Sequence, residues 1–208
     1  LGDRAEGGRR LFAEMLLGRK NSLFEMGPES ADGWGNYLVT VGGTAEKPDW
    51  ALYMIDSHRG HFALNQILWY AETSAALGEG HRELAFFHVP VPEYIEVWDY
   101  EPCKGFNQER VCATDCNDGL FAAMVRGGAM RGVFVGHDHI NDYEGTLHGI
   151  RLCYGRGSGY QCYGLEGYAK GARIIDIGGG ADFESAIYLE TGEIYEQKRT
   201  RKPKLNRK

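Results

Sequence analysis

The sequence predicts an α/β domain, and three observations carry the prediction. Short apolar runs of strand length alternate with segments of helical periodicity, glycine is abundant without a fixed period, and three histidines fall just past the ends of strand-like runs. At 208 residues, 43 % of them hydrophobic, the chain is long enough for one domain with a core of its own, or a large piece of one. Thirty glycines imply many tight turns, and their irregular spacing excludes a collagen-like chain. A formal net charge of −6 offers no general positive field to a nucleic-acid backbone, so no nucleic-acid partner is expected.

The elements follow in order. Arg9 to Leu17 has helical composition, and Tyr37 to Val41 and Ala51 to Ile55 read as short buried strands bounded by Gly, Pro and Asp. Leu64, Ile67, Leu68, Ala71 and Ala75 recur at helical spacing, which predicts an amphipathic helix over Ala63 to Leu77 with these residues as its apolar face, ended by Gly78. Leu84 to Phe87 is a continuous apolar run stopping at His88-Val89-Pro90. His88 is thereby placed at the C-terminal end of a strand, where α/β proteins build their sites. Asn117-Asp118-Gly119 starts a helix whose Leu120, Phe121, Met124 and Val125 share a face, with Asp118 as its cap and Gly127-Gly128 as its end. Gly132 to Val135 is a further strand running into Gly136-His137-Asp138-His139, and Gly149 to Cys153, Ala172 to Ile177 and Ser185 to Leu189 are later strands. No repeat or low-complexity linker divides the chain, so a single domain is expected over residues 1–197. In the tail, residues 198–208, seven of eleven positions are Lys or Arg, read as a solvated, frayed terminus. No segment resembles a membrane span, and residues 1–10 are charged where a secretory signal needs an apolar run. Compartment and oligomeric state stay open.

The histidines suggest chemistry. In an extended chain, His137 and His139 would project on the same side about 6–7 Å apart. That is wide for one ion but suits a pair, since the metals of two-ion hydrolytic sites sit roughly 3.5–4 Å apart. Gly136, lacking a Cβ, permits a sharp exit from the strand, and His88 offers a third nitrogen. Imidazole suits zinc, iron and manganese better than calcium. A lone histidine at a strand end reads first as a satisfied polar residue, and three at strand termini shift that balance; a His-x-His pair also occurs in structural zinc sites. His58 and His61 read as surface-loop residues. The five cysteines, Cys103, Cys112, Cys116, Cys153 and Cys162, are an odd number. Cys112 and Cys116, with Cys103 nearby, read as a disulfide or plain buried thiols ahead of a zinc knuckle.

Gly136-His137-Asp138-His139 with Asn141-Asp142-Tyr143, and Phe87-His88-Val89-Pro90 with Glu93-Tyr94, resemble the second half of the calcineurin-like metallophosphoesterase pattern. Gly27-Pro28-Glu29, Gly33-Trp34-Gly35-Asn36-Tyr37, Asn117-Asp118-Gly119 and the stretch from Leu152-Cys153-Tyr154-Gly155 to Tyr163-Gly164 resemble its purple-acid-phosphatase-like branch. The resemblance implies a four-layer α/β/β/α sandwich, of which the N-terminal half is absent here. It implies two transition-metal ions (Fe, Zn or Mn), with His88 and His137 as ligands of one and His139 of the other. The implied activity is hydrolysis of a phosphate ester by a metal-activated hydroxide. Asp138 is not an expected ligand and is assigned to orienting a histidine or shaping the turn. Asn117, Tyr154 and Arg156 are candidates for contact with substrate or the surrounding shell, with packing or turn roles weighed equally for Tyr154 and Arg156.

The family's first half supplies Asp-x-His, a bridging Asp and a Gly-Asn-His-Asp segment, and none is present as such. Leu1 to Glu6 stands where the tail of Gly-Asn-His-Asp is expected, and Asp56 after its strand reads as a turn or cap residue. The expectation is that this chain by itself binds metal poorly and hydrolyses little. A second class of reading is a binding or regulatory module on the same fold. A third, from Arg173-Ile174-Ile175-Asp176-Ile177-Gly178-Gly179-Gly180, is a methyltransferase fragment using S-adenosylmethionine, although only 28 residues follow Gly180.

Overall fold

The computed structural model describes residues 6–58, 60–114, 116–178 and 182–201. In chain order the elements are α1 (Glu6–Leu17), β1 (Tyr37–Val41), β2 (Trp50–Met54), α2 (Leu64–Ala76), β3 (Arg82–Phe86), α3 (Glu93–Tyr100), β4 (Cys103–Lys104), α4 (Leu120–Gly127), β5 (Met130–Val135), β6 (Glu144–Leu147), β7 (Ile150–Tyr154), β8 (Gly171–Asp176), β9 (Glu184–Leu189), β10 (Ile194–Tyr195) and β11 (Arg199–Arg201). The α/β class predicted from the sequence holds. The chain forms two compact units, residues 1–89 with 116–130, and residues 90–115 with 131–208.

In the first unit β2 lies between β1, antiparallel to it, and β3, parallel to it. Trp50, Ala51 and Tyr53 of β2 and Leu84 and Ala85 of β3 are buried, which is why these runs are apolar without strict alternation. Helix α2 packs against α4. Its buried residues are Gln66, Ile67, Tyr70 and Ser74. The apolar face expected from the sequence is thus turned: Ile67 points inward, but Leu64 and Leu68 are 71 % and 49 % exposed. Polar partners explain the difference. Gln66 donates to the Asn36 side chain at 2.9 Å and to the Asp56 carbonyl at 2.8 Å, and Tyr70 donates to the fully buried Glu83 carboxylate at 2.7 Å. His81 meets the other Glu83 oxygen at 2.8 Å, so both oxygens of this buried carboxyl group have hydrogen-bond partners. Helix α4 runs as predicted and ends on Gly128 in the left-handed conformation, φ 75°. Asp118 is not its cap: the preceding position is Gly119, and the Asp118 carboxylate accepts the backbone N–H of Phe62 at 2.8 Å.

In the second unit β5 and β7 are parallel, with Val135 beside Tyr154, and β7 turns back onto β6 through His148 and Gly149, both at positive φ (48° and 83°). That two-residue turn has the dihedral signs of a type I′ hairpin, whose twist matches its strands. β4 pairs with β6, and β11 with β4, antiparallel, so the chain remains in a sheet into the segment expected to be a frayed tail. β8, β9 and β10 form a separate antiparallel sheet. This arrangement removes the methyltransferase reading, which needs a parallel strand followed by a helix: β8 is followed by its antiparallel partner β9. Leu1 to Ala5, Gly179 and Gly180 of the glycine run, and the tail beyond Arg201 lie outside the described residues.

Helix α3 was not anticipated. It is eight residues long, with Glu93 and Glu96 at the positive end of its dipole. Its Tyr94 is fully buried, donates to the Val133 carbonyl at 2.8 Å and accepts the Cys153 N–H at 3.2 Å, tying α3 to β5 and β7 together. Among the described residues no helix is long and apolar enough to cross a membrane.

Candidate metal centre

β5 delivers the chain to Gly136-His137-Asp138-His139. The Gly155 N–H binds the Val135 carbonyl at 2.7 Å, closing the strand pair just before this loop. The loop does not stay extended. His137 has φ 71°, and the Asp138 N–H folds back to the Gly136 carbonyl at 2.9 Å. The strand alternation that would have put His137 and His139 side by side is therefore broken at His137. A non-glycine residue in the left-handed region costs of order 1–3 kcal/mol and persists where its surroundings fix it.

Those surroundings are polar and mostly buried. Asp138 is 4 % exposed; its Oδ2 accepts the Tyr154 hydroxyl at 2.5 Å, and its two oxygens receive the Cys112 N–H at 3.1 and 3.3 Å. It shapes the turn, tying the loop to the end of β7 and to the segment before α4. Burial holds the Tyr154 phenol well above its ordinary value, with Tyr143 and Asp138 adding to the effect, so it stays a proton donor. Asn141 and Asp142 brace the same region. The Asn141 side chain accepts the N–H groups of Gln108 and Glu109, and Asp142 accepts that of Phe106 at 2.6 Å.

Each sequence candidate now has a place. The His139 ring stacks on Tyr163 with centroids 4.1 Å apart, and its Nδ1 is buried without a hydrogen-bond partner among the described residues. Gly157 passes so close that a Cβ there would lie 2.8 Å from the His139 carbonyl oxygen. Arg156 pairs with Asp142 at 2.5 Å, donates to the Ala169 carbonyl and lies over the Tyr168 ring, so its guanidinium is used within the fold. Tyr154 is fully buried and likewise committed. Asn117 is exposed and accepts the Gly119 N–H at 3.0 Å, a local turn. His88, exposed after β3, lines a cavity of about 740 Å³ with Arg9, Trp34, Asp56 and His58. Asp56 acts as the turn residue expected: it accepts the N–H groups of Trp34 and His58 at 3.0 and 2.9 Å, and Arg9 pairs with it at 3.4 Å. His58 departs from the surface-loop expectation. It is half-buried, its Nε2 enclosed and without a partner among the described residues, while His61, stacked on it at 5.5 Å, is exposed.

Sequence reasoning did not place Cys112 beside His137 and Asp138. Its sulfur, one His137 nitrogen and one Asp138 oxygen all lie within 4.8 Å of one another, the one such set of three among the described residues. No spacing rule connects position 112 with 137, so only folding could show it. Among the described residues no disulfide joins the five cysteines; Cys103 and Cys153 are buried, whereas Cys112 and Cys116 are exposed and so are neither the disulfide nor the buried thiols expected.

The donors fit transition-metal ions through nitrogen. His139 carries a buried ring nitrogen with no partner among the described residues, and His137 stands beside two further donor atoms. That set holds a single carboxylate, Asp138, which already accepts three hydrogen-bond contacts. Oxygen bridging of two cations is therefore not supplied by this loop.

No family model matches the chain. Three relatives are informative. "Probable inactive purple acid phosphatase 29" of Arabidopsis thaliana is 33 % identical over 76 % of this chain and 48 % of its own length. "Probable inactive purple acid phosphatase 14" of the same plant is 30 % identical over 89 % of this chain and 53 % of its own. "Phosphatase DCR2" of Saccharomyces cerevisiae is 30 % identical over 65 % of this chain and 28 % of its own. The chain spans about half the length of the two plant relatives.

Proposed function

The chain belongs to the purple-acid-phosphatase-like branch of the calcineurin-like metallophosphoesterases, and on that premise we propose that it supplies the histidine ligands of a two-metal centre that hydrolyses phosphate esters. The ligands proposed within the second unit are His137 and His139, and the observation that carries the proposal is the buried Nδ1 of His139, which has no hydrogen-bond partner among the described residues. A buried ring nitrogen without a donor loses hydration without compensation, and a cation is a natural partner for it. When bound, such ions neutralise developing charge on the phosphoryl oxygens and acidify a coordinated water.

The protein's own residues position that chemistry. Asp138, held by Tyr154 and Cys112, fixes the bend of the loop. Tyr163 stacks on the His139 imidazole, and its hydroxyl donates to Glu109 at 2.8 Å, which limits ring rotation. Arg156 is withheld from substrate by Asp142 and instead stiffens the loop behind it. Because bridging oxygen donors are not part of this loop, the 208-residue chain alone is proposed to turn over slowly. A second reading, binding without turnover on the same fold, is favoured by the names of the two plant relatives, each printed as a "probable inactive" purple acid phosphatase.

Metal content per chain, with a His137→Ala/His139→Ala variant as control, tests the proposal. Iron, zinc or manganese retained by the wild type and lost in the variant supports it, and equal metal in both overturns it. Hydrolysis of p-nitrophenyl phosphate by the loaded wild type separates slow turnover from binding alone.

A further inference from the structure

We propose that Cys112, His137 and Asp138 form a thiolate-bearing site for a single zinc ion. The inference shares His137 with the two-metal reading but does not rest on it: all three donors belong to one compact unit and need neither His88 nor His139.

The donor set is selective. Thiolate, imidazole and carboxylate together suit zinc, whereas calcium and magnesium prefer shells of oxygen. Three protein ligands with a fourth position left to water is the arrangement of a reactive rather than a structural zinc site.

The geometry is close to what the ion requires. With bonds of about 2.3 Å to sulfur and about 2.0–2.2 Å to nitrogen and oxygen, tetrahedral donors stand about 3.3–3.6 Å apart. The three donor atoms already lie within 4.8 Å of one another, so closure asks for a movement of roughly an ångström. Cys112 is exposed and sits in a segment without regular secondary structure, so its side chain has room to supply that movement.

The carboxylate is the part already fixed. The Tyr154 hydroxyl occupies Oδ2 at 2.5 Å, while among the described residues Oδ1 receives the 3.3 Å contact from the Cys112 N–H and keeps a lone pair for the ion. A neutral donor on one oxygen and a metal on the other is how outer partners aim a ligating carboxylate. The same N–H contacts hold the backbone of Cys112 beside Asp138, so sulfur and oxygen approach from one side. The left-handed His137 supports the assignment, because its conformation places an imidazole beside this pair.

Cobalt(II), a spectroscopic stand-in for zinc, tests the site in the 208-residue chain under reducing conditions. The expected result is a near-ultraviolet thiolate-to-cobalt charge-transfer band saturating at one ion per chain. Cys112→Ser and His137→Ala should each abolish it, and Cys116→Ser, Cys162→Ser and His139→Ala should leave it in place. Zinc should bleach it competitively. Cobalt bound without the band, or a band that survives Cys112→Ser, overturns the proposal. The two readings fail separately. Two ions lost in His137→Ala/His139→Ala with no charge-transfer band sustain the phosphoesterase centre alone; one ion with the band and no dependence on His139 sustains the zinc site alone. Cys112 is exposed, so its serine variant is expected to fold, and an unchanged urea midpoint verifies this.

Discussion

Replacing Tyr154 by Phe isolates the hydroxyl that holds the candidate metal loop. The ring is fully buried and packs against Tyr94 and Tyr143 at centroid distances of 5.1 and 5.0 Å, contacts that phenylalanine keeps. No cavity forms, so the loss reduces to one 2.5 Å hydrogen bond to the Asp138 carboxylate, itself 4 % exposed. Bonds to charged groups contribute about 1.5–3 kcal/mol net. Asp138 retains the Cys112 N–H contacts, which moves the expectation to the lower part of that range, about 1.5–2 kcal/mol. Urea unfolding followed by tryptophan fluorescence should show a lower midpoint with an unchanged slope. Amide exchange across residues 136–139 should accelerate more than in β8 and β9. In an Asp138→Asn background the cost of Tyr154→Phe should shrink, because the partner is then neutral. A loss below about 0.5 kcal/mol, or an equal loss in the Asp138→Asn background, would refute the assignment of Tyr154 as the support of this carboxylate.

Two further outcomes are expected. Ile67→Ala should cost about 2–5 kcal/mol, while Leu64→Gln and Leu68→Gln should each stay within about 0.5 kcal/mol; thermal or urea unfolding decides, and a reversed order would restore the face drawn from periodicity. Glu144 is buried, which by itself raises its pKa, but Arg173 and Lys104 outweigh burial and hold the carboxyl below its ordinary value of 4.5. A depressed folded-state pKa contributes stability above the unfolded value that is lost as pH falls through the folded one. Acidification below about pH 4.5 should therefore destabilise the wild type more steeply than Glu144→Gln, with parallel urea-midpoint profiles as the contrary result.

Much of the fold was legible along the chain because it rests on local rules. Apolar runs closed by Gly or Pro marked β1, β2, β3 and β5. The Gly127-Gly128 stop marked the end of α4, since only a residue tolerant of positive φ ends a helix that way. The same signals put His88 and the His137 loop past strand ends, and the residue motifs there carried the family resemblance that the relatives bear out. What the sequence did not determine depends on partners distant in the chain. Periodicity showed that α2 had an apolar stripe, but the buried side was chosen by Asn36, Asp56 and Glu83, polar groups that Gln66 and Tyr70 must satisfy. Strand-like spacing predicted two parallel histidines, whereas the chain bends at His137 (φ 71°), beside the Tyr154–Asp138–Cys112 contacts. Cys112 joined His137 only through that bend. Local propensity is written in neighbouring residues and can be read there; the satisfaction of buried polar groups is decided among residues that meet only on folding.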